Sequence, residues 1–507
     1  MASQAGGSTE AGAAGAKGLK SGAIGFVANT VIGVASTAPA YSLAVSLGLV
    51  AAAVGLYSPA IMVVAFIPMV FIAAAYYYLN RDDPDCGTSF TWVARAMGPM
   101  PGWMAGWASV VAQIVVNASL SEIAAVYTFR LLGIDVAVES PAVVGLGVLY
   151  IVALTVIVYR GIEVSARTQV LLLGIELLAL AIFAVVALVR VASGAFPDGV
   201  TPSLEWLNPL GIGDWSALTA GFMVAIFIYW GWDTSASVNE ETANATRTPG
   251  LGALTSTLIL IATYVVVTIA VQAVHGAEYL ANQGSEDVLA ALSSDVLGSP
   301  LDKLVILAVL TSAIASTQTT ILPTARTVLA MAAKKALPES FARTHPRFLT
   351  PSVATIWVGV LSIAWYVGLK IVSANVFYDA IAALGLMIAF YYGITGYACA
   401  IYFRHRLLKS AWNFLMMGVV PVAGGVILTL AFVRSAIDLA DPANSASGVS
   451  WFGFGPPLVI TIAFGILGVV LMLIQARRSP EFFRRRPEAA PASETAPAPL
   501  LGARPVQ

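Results

Sequence analysis

Apolar runs of about twenty residues recur along the chain, at roughly 22–51, 57–79, 103–132, 141–159, 166–193, 216–238, 252–275, 303–332, 352–371, 375–403, 411–433 and 456–476. Each is long enough to cross a hydrocarbon layer of about 30 Å as a helix. Charged, Gly-rich or Pro-rich connectors separate them. Alternating ten-residue segments, the mark of a membrane β-barrel, do not fit this pattern. The pattern predicts an all-α integral membrane protein of about twelve transmembrane helices. Residues 1–20 are rich in Gly, Ala and Ser and the last twenty in Pro and Ala, so both read as disordered tails, the second after a basic stretch that opens the 477–507 segment. The first run lacks a small-residue cleavage site close behind a short core and reads as a retained helix.

Composition sharpens this picture. Of 507 residues, 58% are hydrophobic and 10% charged, against roughly 25% charged in a soluble domain. The bilayer is therefore the main partner. A net charge of −1 without a separate basic domain argues against nucleic acid. Cys86 and Cys399 are too few for a disulfide framework and stand in no metal-ligand spacing with the three histidines. No phosphate-binding Gly-rich loop, Ser/His pairing or metal cluster is visible, which argues against an enzyme, an ATP-driven pump or a need for a cofactor. With the amino terminus inside, only Arg130, Arg190, Lys303, Lys370 and Arg434 fall at outer helix ends, and the other 21 of 26 basic residues lie inside. The basic-residue rule then places both termini in the cytoplasm of a multi-pass protein of the plasma (inner) membrane.

Two runs cannot be regular helices throughout. In the first, NTVIGVASTAPAYS puts Gly33, Ser36, Thr37 and Pro39 near mid-membrane, where the proline removes a backbone donor and disfavours a helical Ala38. The sixth carries IFIYWGWDTSASVNEE, with Gly231 followed by Trp232, Asp233 and Thr234. Backbone left unpaired there must line a cavity or meet a ligand, because lipid cannot satisfy it. Matching interruptions at the start of two five-helix halves point to a midplane site between inverted repeats. The aromatics Tyr229, Trp230 and Trp232 cluster at the second break, deep enough to cover a solute or stack on its cationic group. Tyr76 to Tyr78 close the second run and fit an interfacial belt.

Three cytoplasmic segments carry a family resemblance: LNRDDPDCGTSFTWVARAMGPMPGWMAGW after the second run, NEETANATRTPG after the sixth, and ARTVLAMAAKKALPESFARTHPRFLTP after the eighth. In this order, over residues 20–410, the chain resembles the amino-acid/polyamine/organocation permeases. The resemblance implies a ten-helix core at 21–403 built as a 5+5 inverted repeat (about 22–193 and 216–403), with broken helices 1 and 6 and two peripheral helices at 411–476. It places substrate between the breaks and beside helices 3, 8 and 10. Family members hold a substrate carboxylate on helix 1 amides, commonly at a Gly-x-Gly turn; here Gly33, Val34, Ala35, Ser36 and Thr37 stand there instead. By position, Asn117, Gly231 to Asp233 and Thr320 match substrate-site residues. Many members carry a lysine at mid-helix 5 in place of a sodium ion, where this sequence has Glu176.

Four acids lie within apolar runs: Glu122, Glu176, Asp233 and, near the surface at the outer end of the tenth run, Asp379, with no Lys or Arg expected as deep. Desolvation penalises the charged form of such a group, so these acids would be partly protonated in the empty protein and ionise when a cation arrives. Glu176 is read as a proton or cation site, or else as a neutral carboxyl bonding between helices. Glu122 is the second coupling candidate, unless Asn117 and Ser121 hold it structurally. A rival for Glu176 is a cation held with Ser316 and Thr317. Asp233 is expected to face substrate or to gate. Glu240, Glu241 and Arg247 end the sixth run, as a cytoplasmic gate or as a solvated helix end. The expectation is a secondary transporter, proton-coupled, for an amino acid or related small amine; polyamine or alkanolamine transport or exchange is the alternative, and a channel a remote one.

Overall fold

The computed structural model describes residues 17–283, 287–372, 374–445 and 447–491. The helices are α1 (Phe26–Ser36), α2 (Pro39–Val54), α3 (Ser58–Asp82), α4 (Ser89–Met97), α5 (Pro99–Leu131), α6 (Pro141–Arg160), α7 (Ile162–Ala192), α8 (Trp215–Ile228), α9 (Thr234–Ser237) and α10 (Thr248–Gln283), the last interrupted at Gly276. Then follow α11 (Val288–Leu297), α12 (Lys303–Ala333), α13 (Ser352–Val372), α14 (Ala374–Tyr402) and α15 (Ala411–Asn413). A π-helical turn, Phe414–Val419, joins α15 to α16 (Val420–Asp438), and α17 (Pro456–Arg478) and α18 (Pro480–Phe483) close the series. Proline stands in the first turn of α2, α3, α5, α6, α16 and α17, where its missing N–H leaves no helical bond unmade.

Among the described residues, ten helical stretches are long and apolar enough to cross a membrane. The first spans Phe26–Asp82, 57 residues, which as one straight helix would measure about 85 Å, nearly three hydrocarbon layers. It is divided instead, at Thr37 and Ala38 and again at the 3₁₀ turn Gly55–Tyr57. The sixth apolar run shortens to the 14-residue α8, because its second half unwinds. That is why twelve runs yield ten stretches.

Burial separates centre from rim. The most apolar window of α5 is 83% buried and that of α12 is 78%, against 28% for α6 and 22% for α17. α12 packs along α5 and α7, and α1 and α2 pack against α10. The two central helices thus flank the broken ones. Residues 17–20, assigned to a tail by composition, pack against the helical body, with Leu19 fully buried and Lys17 paired to Asp85 and Glu240. So do residues 488–491: the Glu488 amide donates to the Arg95 carbonyl (2.6 Å), the Ala490 amide to that of Tyr402 (2.9 Å), and Arg406 to that of Pro491 (2.8 Å).

Candidate solute site between the broken helices

The first break is set by one dipeptide. Ala38 adopts a left-handed conformation (φ 48°, ψ 64°) and Pro39 restarts the chain as α2, so the helix loses its bonds over one turn. Its amides are satisfied internally. Thr37 and Ala38 donate to the carbonyls of Val34 and Ala35 (3.1 and 3.2 Å), Ala40 donates to Glu176 Oε1 (2.8 Å), and Tyr41 to Ser312 Oγ (3.3 Å). The second break turns on Gly231, at φ 125°. A Cβ there would lie 2.5 Å from the Ser36 carbonyl oxygen. The two interruptions are therefore in direct backbone contact. Ser36 and Thr234 share a hydroxyl hydrogen bond of 2.8 Å, and Ser316 on α12 donates to the Ser36 carbonyl at 3.0 Å.

A cavity lies against this junction. It is lined by Ser36, Thr37, Ala38, Tyr41 and Ser42 of the first break, by Phe227, Trp230 and Gly231 of the second, by Gln113, Val116 and Leu120 of α5, and by Ser316 and Thr320 of α12. At about 20 Å³ it has room for a water or two and no solute. Of the residues expected from sequence, Ser36, Thr37, Gly231, Ser316 and Thr320 meet here. Gln113, whose polarity amid an apolar run was the available signal, was missed.

Other expected residues lie nearby but outside the lining. Gly33 is needed for packing, since a Cβ would fall 2.2 Å from Ser235 Oγ and 2.4 Å from Ser256 Oγ. Ala35 is buried beside it. Asn117 donates to Ser362 on α13 (3.1 Å), Tyr229 donates to the Met62 carbonyl (3.0 Å), and Thr317 bonds within its own helix (2.8 Å). Trp232 stacks on Tyr392, centroids 5.2 Å apart. Asp233 accepts from Tyr392 (2.7 Å) and Tyr391 (3.4 Å), and it reaches the cavity only through a chain, because Trp230 donates to Tyr391 at 2.5 Å. Tyr76 is not in an interfacial belt: it is buried, edge-on to Trp232 at 5.1 Å, and shares a hydrogen bond with Ser89.

The acids find more partners than composition suggested. The expectation that no base lies deep fails twice. Lys370 reaches inward from the end of α13 to Glu122 (2.5 Å), which binds that acid in an ion pair. Arg326 is fully buried on α12 and grips both oxygens of Glu241, one of them at 2.9 Å. Asp379, expected near the surface, is instead fully buried. Arg247, expected to pair with the glutamates, is exposed and makes no ion pair among the described residues. Glu240 is held instead by Lys17 (2.6 Å), which also meets Asp85 (2.9 Å), and Asp85 meets Lys334 (2.9 Å). Asp85, Cys86 and Glu240 stand close enough to ligate a metal ion, but the ammonium of Lys17 already supplies the positive charge between them.

In this cluster the charges of Asp85 and Lys17 reinforce each other. Burial pushes the Asp85 carboxyl up, but Lys334 and Lys17 outweigh it and hold the group below its usual 3.8. Burial works to lower Lys17, and Cys86, Asp85 and Glu240 outweigh it, holding it above 10.5. A lowered acid contributes stability above its unfolded value and loses it as pH falls; a raised base contributes below its unfolded value and loses it as pH rises. The stability that the Asp85 and Lys17 charges contribute is therefore fully present between about pH 4 and about pH 10.5. Cys86, fully buried beneath this cluster, reports on it. In a Cys399→Ser background, Lys17→Ala is expected to raise the rate of maleimide labelling at Cys86 on the order of tenfold, by removing its two partly buried ion pairs, with Asp85 and Glu240. An unchanged rate would show that Lys17 does not hold the loop.

A family model described as amino acid permease matches residues 21–464. The chain is 24% identical over 217 residues to a branched-chain amino acid permease of Lactococcus lactis subsp. cremoris, covering 40% of this chain and 46% of that protein. It is 29% identical over 281 residues to an uncharacterized transporter of Mycobacterium tuberculosis (55% and 58%), and 24% identical over 303 residues to the vacuolar cationic amino acid transporter 4 of Arabidopsis thaliana (58% and 49%). The chain spans about half the length of the curated relatives it matches. The family model covers far more of it, including both breaks and the cavity between them, and on that ground the chain belongs to the amino acid permease family.

Proposed function

We propose that the protein is a secondary transporter that carries a small amine-bearing solute across the plasma membrane by alternating access. The observation that supports this is the contact between two broken helices, Gly231 against Ser36, with a cavity beside it that both breaks line. Unpaired or locally bonded backbone at membrane depth is tolerated only where it is enclosed or meets a ligand. In this reading twelve crossings form a 5+5 inverted-repeat core with two peripheral helices, and both termini are cytoplasmic. Glu241 with Arg326, and Glu240 with Lys17, close the inner side.

Coupling is assigned to a proton at Glu176. This carboxyl is fully buried on α7, accepts from the Ala40 amide, and has one oxygen, Oε2, without a hydrogen-bond partner among the described residues. A proton or a cation is what such an oxygen lacks. Glu122 is left out of this role because Lys370 pairs with it. Uptake into proteoliposomes is expected under a proton gradient without sodium. Glu176→Gln, which keeps the acceptor for Ala40, should still exchange solute while gradient-driven accumulation fails. Strict sodium dependence, or a Gln variant that accumulates like the parent with the same pH profile, would remove the proton from Glu176.

A further inference from the structure

The last described stretch of the chain divides its residues between two surfaces. Residues 477–488, which run on from the last turn of α17, hold five arginines, Arg477, Arg478, Arg484, Arg485 and Arg486, against two acids, Glu481 and Glu488. Both acids are turned to the protein. Glu481 pairs with Lys335 (2.6 Å) and Glu488 with Arg95 (3.4 Å). Apolar residues face the same way: Phe482 is buried and packs on Phe90, centroids 5.4 Å apart, and Ala490 is buried as well. With the bonds of residues 488–491 to Arg95, Tyr402 and Arg406, the segment forms a strap from α17 across α4 to the end of α14. The five arginines are left over. All are exposed, and among the described residues none makes an ion pair. Arg485 rests over the Phe482 ring, 6.0 Å from its centroid, which holds one guanidinium in place.

The level of the strap says what these charges meet. α17 is 23 residues long, about 34 Å as a helix and close to the thickness of the hydrocarbon layer. Its most apolar window is only 22% buried, so Arg477 and Arg478 emerge at headgroup level on a helix surrounded by lipid. The far end of the strap reaches the same level. Arg406, which holds Pro491, stands in a loop followed by exposed Leu408, Trp412 and Phe414, side chains that suit the membrane interface. Arg404 and Lys409 are exposed beside them. A cluster of four to eight bases just inside a transmembrane helix attracts anionic lipid, and a planar guanidinium matches a phosphate by paired hydrogen bonds.

We propose that the strap is a binding surface for anionic phospholipid headgroups of the inner leaflet, because its acids and apolar residues are spent on the protein while Arg477, Arg478 and Arg484 to Arg486 stand exposed at headgroup level. This rests on the membrane topology of the transporter reading and adds a partner to it. Headgroups and protein use different residues of the strap, so a bound lipid adds to its hold on α4 and α14 and does not compete for it.

The test uses purified full-length protein in uncharged detergent. Short-chain phosphatidylglycerol, phosphatidylcholine of the same chains and inorganic triphosphate are the probes, each read by thermal stabilisation. Phosphatidylglycerol is expected to stabilise the parent well beyond phosphatidylcholine, the difference shrinking as salt is raised. At about fivefold for each arginine, the triple variant Arg484→Gln, Arg485→Gln, Arg486→Gln should bind phosphatidylglycerol on the order of a hundredfold more weakly. Lysine at the same three positions keeps the charge and should retain most of the affinity. Should the glutamine variant fail to fold, the lysine variant and the salt titration of the parent still decide. Equal stabilisation by the two lipids, or a glutamine variant that binds phosphatidylglycerol like the parent, would overturn the proposal. Triphosphate that stabilises as strongly as phosphatidylglycerol would make this a site for soluble anions and overturn the lipid assignment. Counterflow in phosphatidylcholine vesicles judges the transporter reading apart: transport without any preference for phosphatidylglycerol sinks the proposal alone, and that preference without transport in either lipid sinks the reading alone.

Discussion

Arg326→Met is expected to cost about 3–5 kcal/mol of stability, because it leaves the Glu241 carboxylate fully buried without its charge partner. Arg326 and Glu241 are 0% and 1% exposed at their side chains, and the guanidinium grips both carboxylate oxygens. The double replacement Arg326→Met with Glu241→Met should recover most of that loss, since two apolar side chains of similar volume leave no unpaired charge behind. Thermal unfolding of the purified protein in detergent measures both. Such a rescue would separate folding from gating: the double variant should be stable yet close its inner side poorly, giving solute-independent leak in proteoliposomes. A single variant as stable as the parent would show that water reaches this pair.

Gly231→Ala carries the second large effect. The position needs φ 125°, a region that side chains other than hydrogen rarely adopt, and an added Cβ would meet Ser36 backbone at 2.5 Å. Backbone strain of this kind costs about 1–3 kcal/mol before the clash is counted, and the clash has no side chain to absorb it. The expected result is loss of solute binding and transport together with a lower unfolding temperature. Gly33→Ala makes the useful contrast. Its nearest obstacles are the hydroxyl ends of Ser235 and Ser256, which rotate, so it should lose stability with less effect on solute affinity. Equal affinity losses in the two variants would mean that the contact at Gly231 has no special place in the site.

What could be read from the chain, and what could not, divides along a physical line. Helical period and length place the spans, and the chemistry of Pro39 and Gly231 marks both breaks, because these residues act on their own backbone. Pairings between distant segments leave no local trace. Arg326 reads as one more basic residue near an inner helix end, until α9 and its neighbours bring Glu241 against it from 85 positions away. Lys370 sits at an outer helix end by hydropathy, yet its long side chain reaches back to Glu122. Tyr76 looks like one member of a tyrosine belt, although its ring turns inward to Trp232.

The backbone bonds of the first break also bear on how the chain is assembled. Ala40 waits for Glu176, 136 residues later, and the Tyr41 amide for Ser312, 271 residues later. Ser36 meets Thr234 after 198. Synthesis runs from the amino end, so α1 and α2 enter the bilayer with a broken turn whose partners do not yet exist. Loop closure over such distances adds little free energy per doubling of length, but the unsatisfied amides are costly in hydrocarbon for as long as they wait. The first broken helix is therefore a nascent structure that needs shelter, from water at the translocon or from a neighbouring helix, and it reaches its final form only when α12 has been delivered. Maturation of this fold is a late event set by its eighth apolar run, although the segment that matures is its first.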